Sequence, residues 1–430
     1  MAVRLLTFAR KNPVMLLLIP GLVIFLVNFL AGHRGISGND ANYYFAQAGA
    51  IASCRSLGAV ETYEVLAAQG GANWSAQQMA ARTSTGWFYN LYPIGHPMLH
   101  VPGVLAGAAL GWIGGQGWDP LGPFAQAGFC VSAILAAALG LALMRAALSR
   151  WFGEDAILFA LVAMTAGTPL GYYWFIQPAM SHTSSLLMAG IICWSFVRIT
   201  EAGAGPWHWA LLGGALGWNV AVRNQDVAFV CIGIAALVLA AKSARPAAGI
   251  IPLIAATIVA VIPQLIVYYL RDGSILPRQY SDYSSFDWAH PHFIAVLFSP
   301  RHGLFLWHPL LLAAAVGVLL SLRRRSAAPT CTIPWLLTFL GLWFISAAFS
   351  IWWFGDSFGS RPFLSVTPLF LLGFCEIWQR APRRAVRVVI LAIVAIAVCW
   401  NALLAVAYHA SWISRSEPLD VPALFGRFSG

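Results

Sequence analysis

The stretch Ser37–Tyr44 reads Ser-Gly-Asn-Asp-Ala-Asn-Tyr-Tyr and directly follows the first long apolar run. It sets one carboxylate, Asp40, where a membrane-spanning chain first meets water, with Tyr43 and Tyr44 within the next helical turn. An acid at such a place can serve chemistry, with a lipid-accessible cavity built around it, or it can cap the helix that follows. Three other polar stretches offer cations that could face the same space. Arg223-Asn224-Gln225-Asp226 interrupts two apolar runs, so Arg223 either binds an anion or closes a salt-bridged turn. Phe298-Ser299-Pro300-Arg301-His302-Gly303-Leu304 opens another apolar run, and Arg301 and His302 beside free helix N–H groups could hold a phosphate.

The most distinctive stretch is Trp352-Trp353-Phe354-Gly355-Asp356-Ser357-Phe358-Gly359-Ser360-Arg361-Pro362-Phe363. Its glycines let the backbone turn sharply, and Arg361 enters the next apolar run beside proline. An arginine at that depth needs an anionic partner. Asp356 is the nearest one in the chain, whereas the rigid fork of a guanidinium suits phosphate oxygens. Tyr92 and His96, in Tyr89-Asn-Leu-Tyr-Pro-Ile-Gly-His-Pro97, and His182, in Gln177-Pro-Ala-Met-Ser-His182, are interfacial residues that serve as anchors or as lining.

Composition decides what must position these groups. The chain has 430 residues, of which 60% are hydrophobic and only 9% charged. An ordinary soluble domain carries about 25% charged residues. The class is therefore an all-α polytopic membrane protein. The net charge of +10 belongs to the loops of such a protein and implies no nucleic-acid partner. Seven cysteines occur without a CxxC pair, which removes the usual zinc and dithiol patterns. No Walker A loop, GxGxxG or HExxH is present. Carboxylates are not clustered and no DxD occurs, so no metal site is expected.

A spanning helix needs about 20 mainly apolar residues. Eleven runs qualify: 13–31, 123–146, 156–176, 182–199, 207–222, 226–242, 247–270, 304–322, 333–353, 362–379 and 386–408. The run 93–114 is also apolar but carries Pro93, Pro97 and Pro102. If it does not cross, Arg4, Arg10, Lys11, Arg145, Arg150, Arg198, Lys242, Arg245, Arg323–Arg325 and the arginines of 380–387 share one side. The positive-inside rule then makes that side cytoplasmic. The expected topology has eleven spans, a cytoplasmic N-terminus and 93–114 as a re-entrant or interfacial element. The first run lacks a small-residue cleavage site and reads as an uncleaved signal anchor. One domain results, with outer segments at 31–123, 271–303 and 409–430. In the first of these, Asp40–Leu57 and Trp74–Arg82 are expected as amphipathic helices lying on the membrane surface.

With these residues in view, the chain resembles the GT-C superfamily of integral-membrane glycosyltransferases. The likeness rests on the acid after the first span and the long first outer loop. It continues through Tyr92-Pro93-Ile94-Gly95, Ser181-His182, Ser299–Phe305 and Trp353–Arg361. The last two are similar to motifs of bacterial polyprenyl-phosphate-sugar-dependent transferases. Asn39 stands before Asp40, so the acidic pair of some such families is missing. The resemblance implies inverting, metal-independent transfer of one sugar from a polyprenyl-phosphate donor, with no cofactor beyond that lipid-linked co-substrate. The acceptor would be a lipid, an envelope glycan or a protein at the outer face of a bacterial inner membrane. Asp40 would be the general base, and Arg361, Arg301, His302 and Arg223 would meet the leaving phosphate. Tyr43, Tyr44, Tyr92, His96, His182, Trp353 and Asp356 would line the sugar and acceptor sites. A transporter or flippase of a lipid-linked sugar or anion explains the spans equally well, but not the long first loop or the one-sided polar groups. A non-catalytic envelope-assembly subunit, in which Asp40 is only a cap, is the third reading.

Overall fold

The computed structural model describes residues 11–32, 36, 38–69, 74–201, 204–243, 245–278, 284–323, 328–381 and 383–426. Arg4, Arg10, Ser37, Arg324 and Arg325 lie outside them. Among the described residues, regular structure is helical apart from the isolated bridges Arg82–Phe88 and Phe286–Phe349. Within those residues, eight helices are long and apolar enough to cross a membrane: Pro13–Leu30, Pro123–Leu148, His182–Ile199, Asn224–Ala241, Pro246–Asp272, Cys331–Ala348, Arg361–Gln379 and Arg384–His409.

Of the other three expected spans, two are divided at proline. The run 156–176 yields helix Glu154–Gly167, stops at Thr168-Pro169, and resumes as a π turn over Tyr172–Ile176. Proline has no N–H to continue the ladder. The run 304–322 divides at His308-Pro309 into Leu304–Trp307 and Leu310–Ser321. Helix Pro206–Val222 simply has 17 residues.

Lipid tails are as apolar as leucine, so helices in a membrane associate through close packing rather than through hydrophobic exclusion. Glycine supplies that closeness here. A Cβ added to Gly190 would sit 2.3 Å from the Gly140 carbonyl oxygen, and one on Gly317 would sit 2.0 Å from that of Gly373. These contacts bring 123–148 against 182–199 and 310–321 against the 361–379 helix. Gly213 meets Leu253 in the same way, joining 206–222 to 246–272.

The long helices define two ends of the bundle. Helix 182–199 starts at His182 and, at 1.5 Å per residue, carries Arg198 about 24 Å away. There Arg198 pairs with Glu201 at 2.7 Å, and Arg150 from the end of 123–148 meets the same carboxylate. Arg380 pairs with Glu376 at 2.6 Å at the corresponding end of the 361–379 helix. Asp40, His182, Arg223 and Arg361 all lie at the opposite end, around one cavity.

The 93–114 run, expected as a re-entrant or interfacial element, contains one continuous helix, Gly95–Ile113. Pro97 falls in its first turn, where its missing N–H costs nothing. Gly103 packs on Gly128 and Gly107 on Phe124, so it runs antiparallel to 123–148. Its last residues lie beside Phe124, whose ring packs on Phe29 at 6.0 Å near the end of the first span.

The first loop departs from the surface-lying arrangement. Helix Asn39–Ala52 is shorter than expected, and residues 41–50 are buried on every face. Two short helices cover it, Val60–Ala68 and Ala76–Ala80, the second closed by a capping box of Ser75 and Gln78. The apolar spacing of Ala41, Phe45 and Ala48 marked one buried face; the polar residues of the other face, Asn42 and Gln47, are buried too and bond to backbone carbonyls.

Candidate functional site

A cavity of about 670 Å³ opens at this end of the bundle. Asp40 lies in its wall, and the side chain makes no helix-capping bond. Helix 39–52 instead begins at Gly38, whose φ of +85° aims the chain into the cavity. One Asp40 oxygen accepts the Tyr92 hydroxyl at 2.5 Å, and the other faces the Arg361 guanidinium at 3.0 Å. The carboxylate keeps 25% side-chain exposure toward the cavity. A carboxylate has roughly four acceptor directions, so these two bonds orient it and leave it able to take a proton.

Both partners are themselves held. Tyr92 donates its N–H to Asn90 Oδ1 at 3.0 Å, and Ile94 N–H donates to Gln264 at 2.7 Å. Arg271, in a buried pair with Asp272 at 2.6 Å, donates to Asn90 O at 2.6 Å. The first loop is thereby fastened to helix 246–272. Burial pushes the Tyr92 phenol well above its ordinary range, so it stays a neutral donor to the carboxylate. Arg361 follows a turn with φ of +63° at both Phe354 and Gly355 and +65° at Gly359. A side chain on Gly359 would strike the His308 ring at 2.2 Å. Phe358 N–H donates to Tyr173 Oη at 2.9 Å, and Arg361 itself reaches Phe354 O at 3.2 Å.

Arg361 is thus partnered by Asp40 and not by Asp356, the acid nearest in sequence. Asp356 is exposed at the cavity wall. Arg223 lines the cavity as well, donating to His182 Nδ1 at 3.2 Å and to Pro362 O at 3.4 Å. Its neighbour Asp226 accepts from Ser185 and Ser365, at 3.2 and 2.9 Å. Tyr44 completes this side, with its hydroxyl donating to Ser181 at 3.1 Å. Another part of the lining is apolar: Val227, Phe286, Trp288, Ile345, Phe349 and Ile351. The cavity therefore offers a carboxylate and guanidinium groups on one side and a greasy wall on another.

Several residues chosen from the sequence lie elsewhere. Tyr43 is buried behind the site, packed on Trp74 at 5.3 Å and Tyr92 at 5.4 Å. His96 is wholly buried, with its ring nitrogens 2.7 Å from Ser184 Oγ and 3.0 Å from Ala179 O. His302 donates to Trp353 O at 2.8 Å, and burial lowers its imidazole to about 4, which keeps it uncharged. Trp353 is not in the lining; the Arg301 guanidinium stacks on it at 3.9 Å and bonds to Ser416 O. Arg301 and His302 therefore fasten loops instead of facing the cavity. The physical reason is one of competition: each met a carbonyl of a neighbouring loop that local sequence does not reveal. Sequence reading passed over Gln177, Met180, Tyr408 and Arg415, all of which line the cavity. Of these only Arg415 carried a signal, as a cation in the tail 409–430.

If the Tyr92–Asp40 bond orients the carboxylate, Tyr92→Phe should lower turnover roughly tenfold to a hundredfold, the range for losing a hydrogen bond to a charged group. Steady-state kinetics check this, with little change expected in substrate KM.

No protein-family model and no curated protein matches the chain. Two solved structures of ArnT from Cupriavidus metallidurans share its fold. The apo form matches with a TM-score of 0.53 at 15% identity, covering 94% of this chain and 66% of that one. The form bound to undecaprenyl phosphate matches with a TM-score of 0.51 at 15% identity, covering 92% and 69%. The chain thus spans about two thirds of the length of these structures.

Proposed function

We propose that this chain, which has the GT-C fold, transfers a sugar from a polyprenyl-phosphate donor to an acceptor hydroxyl, with inversion and without a metal. The observation that carries the reading is the Asp40 carboxylate, held 3.0 Å from Arg361 in a cavity that also contains Arg223. Asp40 takes the acceptor proton as that oxygen attacks the anomeric carbon, and the phosphate departs as a stable anion needing no general acid. General-base assistance of this kind contributes about 10²–10⁴-fold. Arg361 and Arg223 meet the charge that develops on the leaving group, in a site partly shielded from water. The apolar lining suits the first prenyl units, and a fold neighbour binds undecaprenyl phosphate. Tyr44, His182 and Asp356 contact sugar or acceptor.

The positive residues at the far end of the bundle support a cytoplasmic far end and an outer-face cavity, in a bacterial inner membrane engaged in envelope synthesis. The test is transfer by purified protein in nanodiscs, supplied with radiolabelled polyprenyl-phosphate sugars and envelope lipids or glycans. Labelled product that depends on the donor phosphate supports the reading. Uptake of the donor into sealed vesicles with no product formed would replace it with transport.

A further inference from the structure

After helix 384–409 the chain does not leave the molecule. Ser411 adopts a φ of +56°, and the Trp412 N–H returns to Ala407 O at 2.7 Å. Ile413, Leu419 and Leu424 are buried at 7%, 9% and 1% exposure, and Leu419 N–H donates to Pro300 O at 3.0 Å. Residues 410–424 form a strap across the cavity end, anchored through three apolar side chains. Arg301 fastens it from the other side: sandwiched against Trp353, it bonds to Ser416 O and lies 3.9 Å from Glu417. Between these anchors Arg415 is exposed, lines the cavity, and stacks over Tyr408 at 5.2 Å.

We infer that Arg415 is a substrate-binding residue, delivered by the strap to the cavity mouth to bind a phosphate-class anion, with Arg301 as its positioning residue. The inference rests on the proposed transfer reaction for the identity of that anion's carrier. Two carriers share the chemistry: the phosphate of the polyprenyl donor and an acidic group on a soluble acceptor. A guanidinium stacked on an aromatic face keeps its N–H edge free for bidentate contact with either. The cavity's cations divide accordingly: Arg361 is committed to Asp40 and Arg223 to the His182 side, whereas Arg415 enters from a separate element.

The test uses the full-length protein in nanodiscs, titrated with undecaprenyl phosphate and with undecaprenol, its neutral counterpart, followed by tryptophan fluorescence. Arg415→Gln is expected to weaken undecaprenyl phosphate binding roughly tenfold without changing undecaprenol binding or Tm. Arg301→Gln should cause a similar loss, and the double variant should be no worse than either single one. In parallel, phenylglyoxal modification of Arg415 in the unaltered protein is read by mass spectrometry. Protection by undecaprenyl phosphate identifies the donor as the carrier. Protection by inorganic phosphate alone retains the anion site and identifies a soluble acidic acceptor as the carrier, leaving the donor phosphate to Arg361 and Arg223. Equal affinities in Arg415→Gln and the parent, with no protection by either probe, would overturn the inference whatever the transfer assay shows.

Discussion

Asp40→Asn should abolish nearly all sugar transfer, lowering kcat by about 10²–10⁴-fold while leaving donor binding close to normal. Asparagine preserves the shape and can still accept from Tyr92, which bonds Asp40 at 2.5 Å, but it cannot take a proton from the acceptor. The fold should tolerate the change. Asp40 retains a quarter of its side-chain exposure and caps no helix, so its replacement leaves no empty core. Single-turnover rates with a preloaded donor, together with a donor titration, separate the two effects. A variant that transfers at the parent rate would return Asp40 to a purely structural role in orienting Arg361.

Arg361→Lys is expected to cost about 10²–10³-fold in kcat/KM, the scale of removing one preplaced group that meets developing charge. The charge survives, but the lysine cannot reach both Phe354 O and Asp40, which Arg361 contacts at 3.2 and 3.0 Å. Arg361→Gln should lose more, since it leaves the carboxylate without its cation. The sharper measurement is the cycle with Asp40→Asn. Groups acting as a unit give strongly non-additive losses, so the double variant should be scarcely slower than Asp40→Asn alone. Fully additive losses would mean that Arg361 serves the fold or the donor independently of Asp40.

The class of this protein is legible because it depends on quantities local to each stretch. Apolar runs of sufficient length and the siting of arginines between them define helices and ends without knowledge of any partner. The same locality let Gly355 and Gly359 announce a sharp turn before Arg361. It failed where a side chain had a choice of partners. Arg301 and His302 stand at a helix start, as a phosphate site requires, yet Ser416 O and Trp353 O took them. His96, a plausible lining residue, was drawn into a buried pair with Ser184 and Ala179 O. In each case a neighbouring loop offered a bond that desolvation made costly to refuse.

By itself the sequence determined an all-helical membrane bundle with its chemistry-bearing residues at one end, Asp40 foremost among them. Only the tertiary structure decided that the partner of Arg361 is Asp40 rather than Asp356, that Tyr92 holds the same carboxylate, and that the tail brings Arg415 to the cavity. The physical reason is the range over which each is set. Hydropathy and helix period act within a turn or a span, whereas ion pairs form between whichever groups the packed helices bring within about 4 Å. That proximity is created by glycine contacts such as Gly140 with Gly190, between helices whose distance from one another no single stretch records.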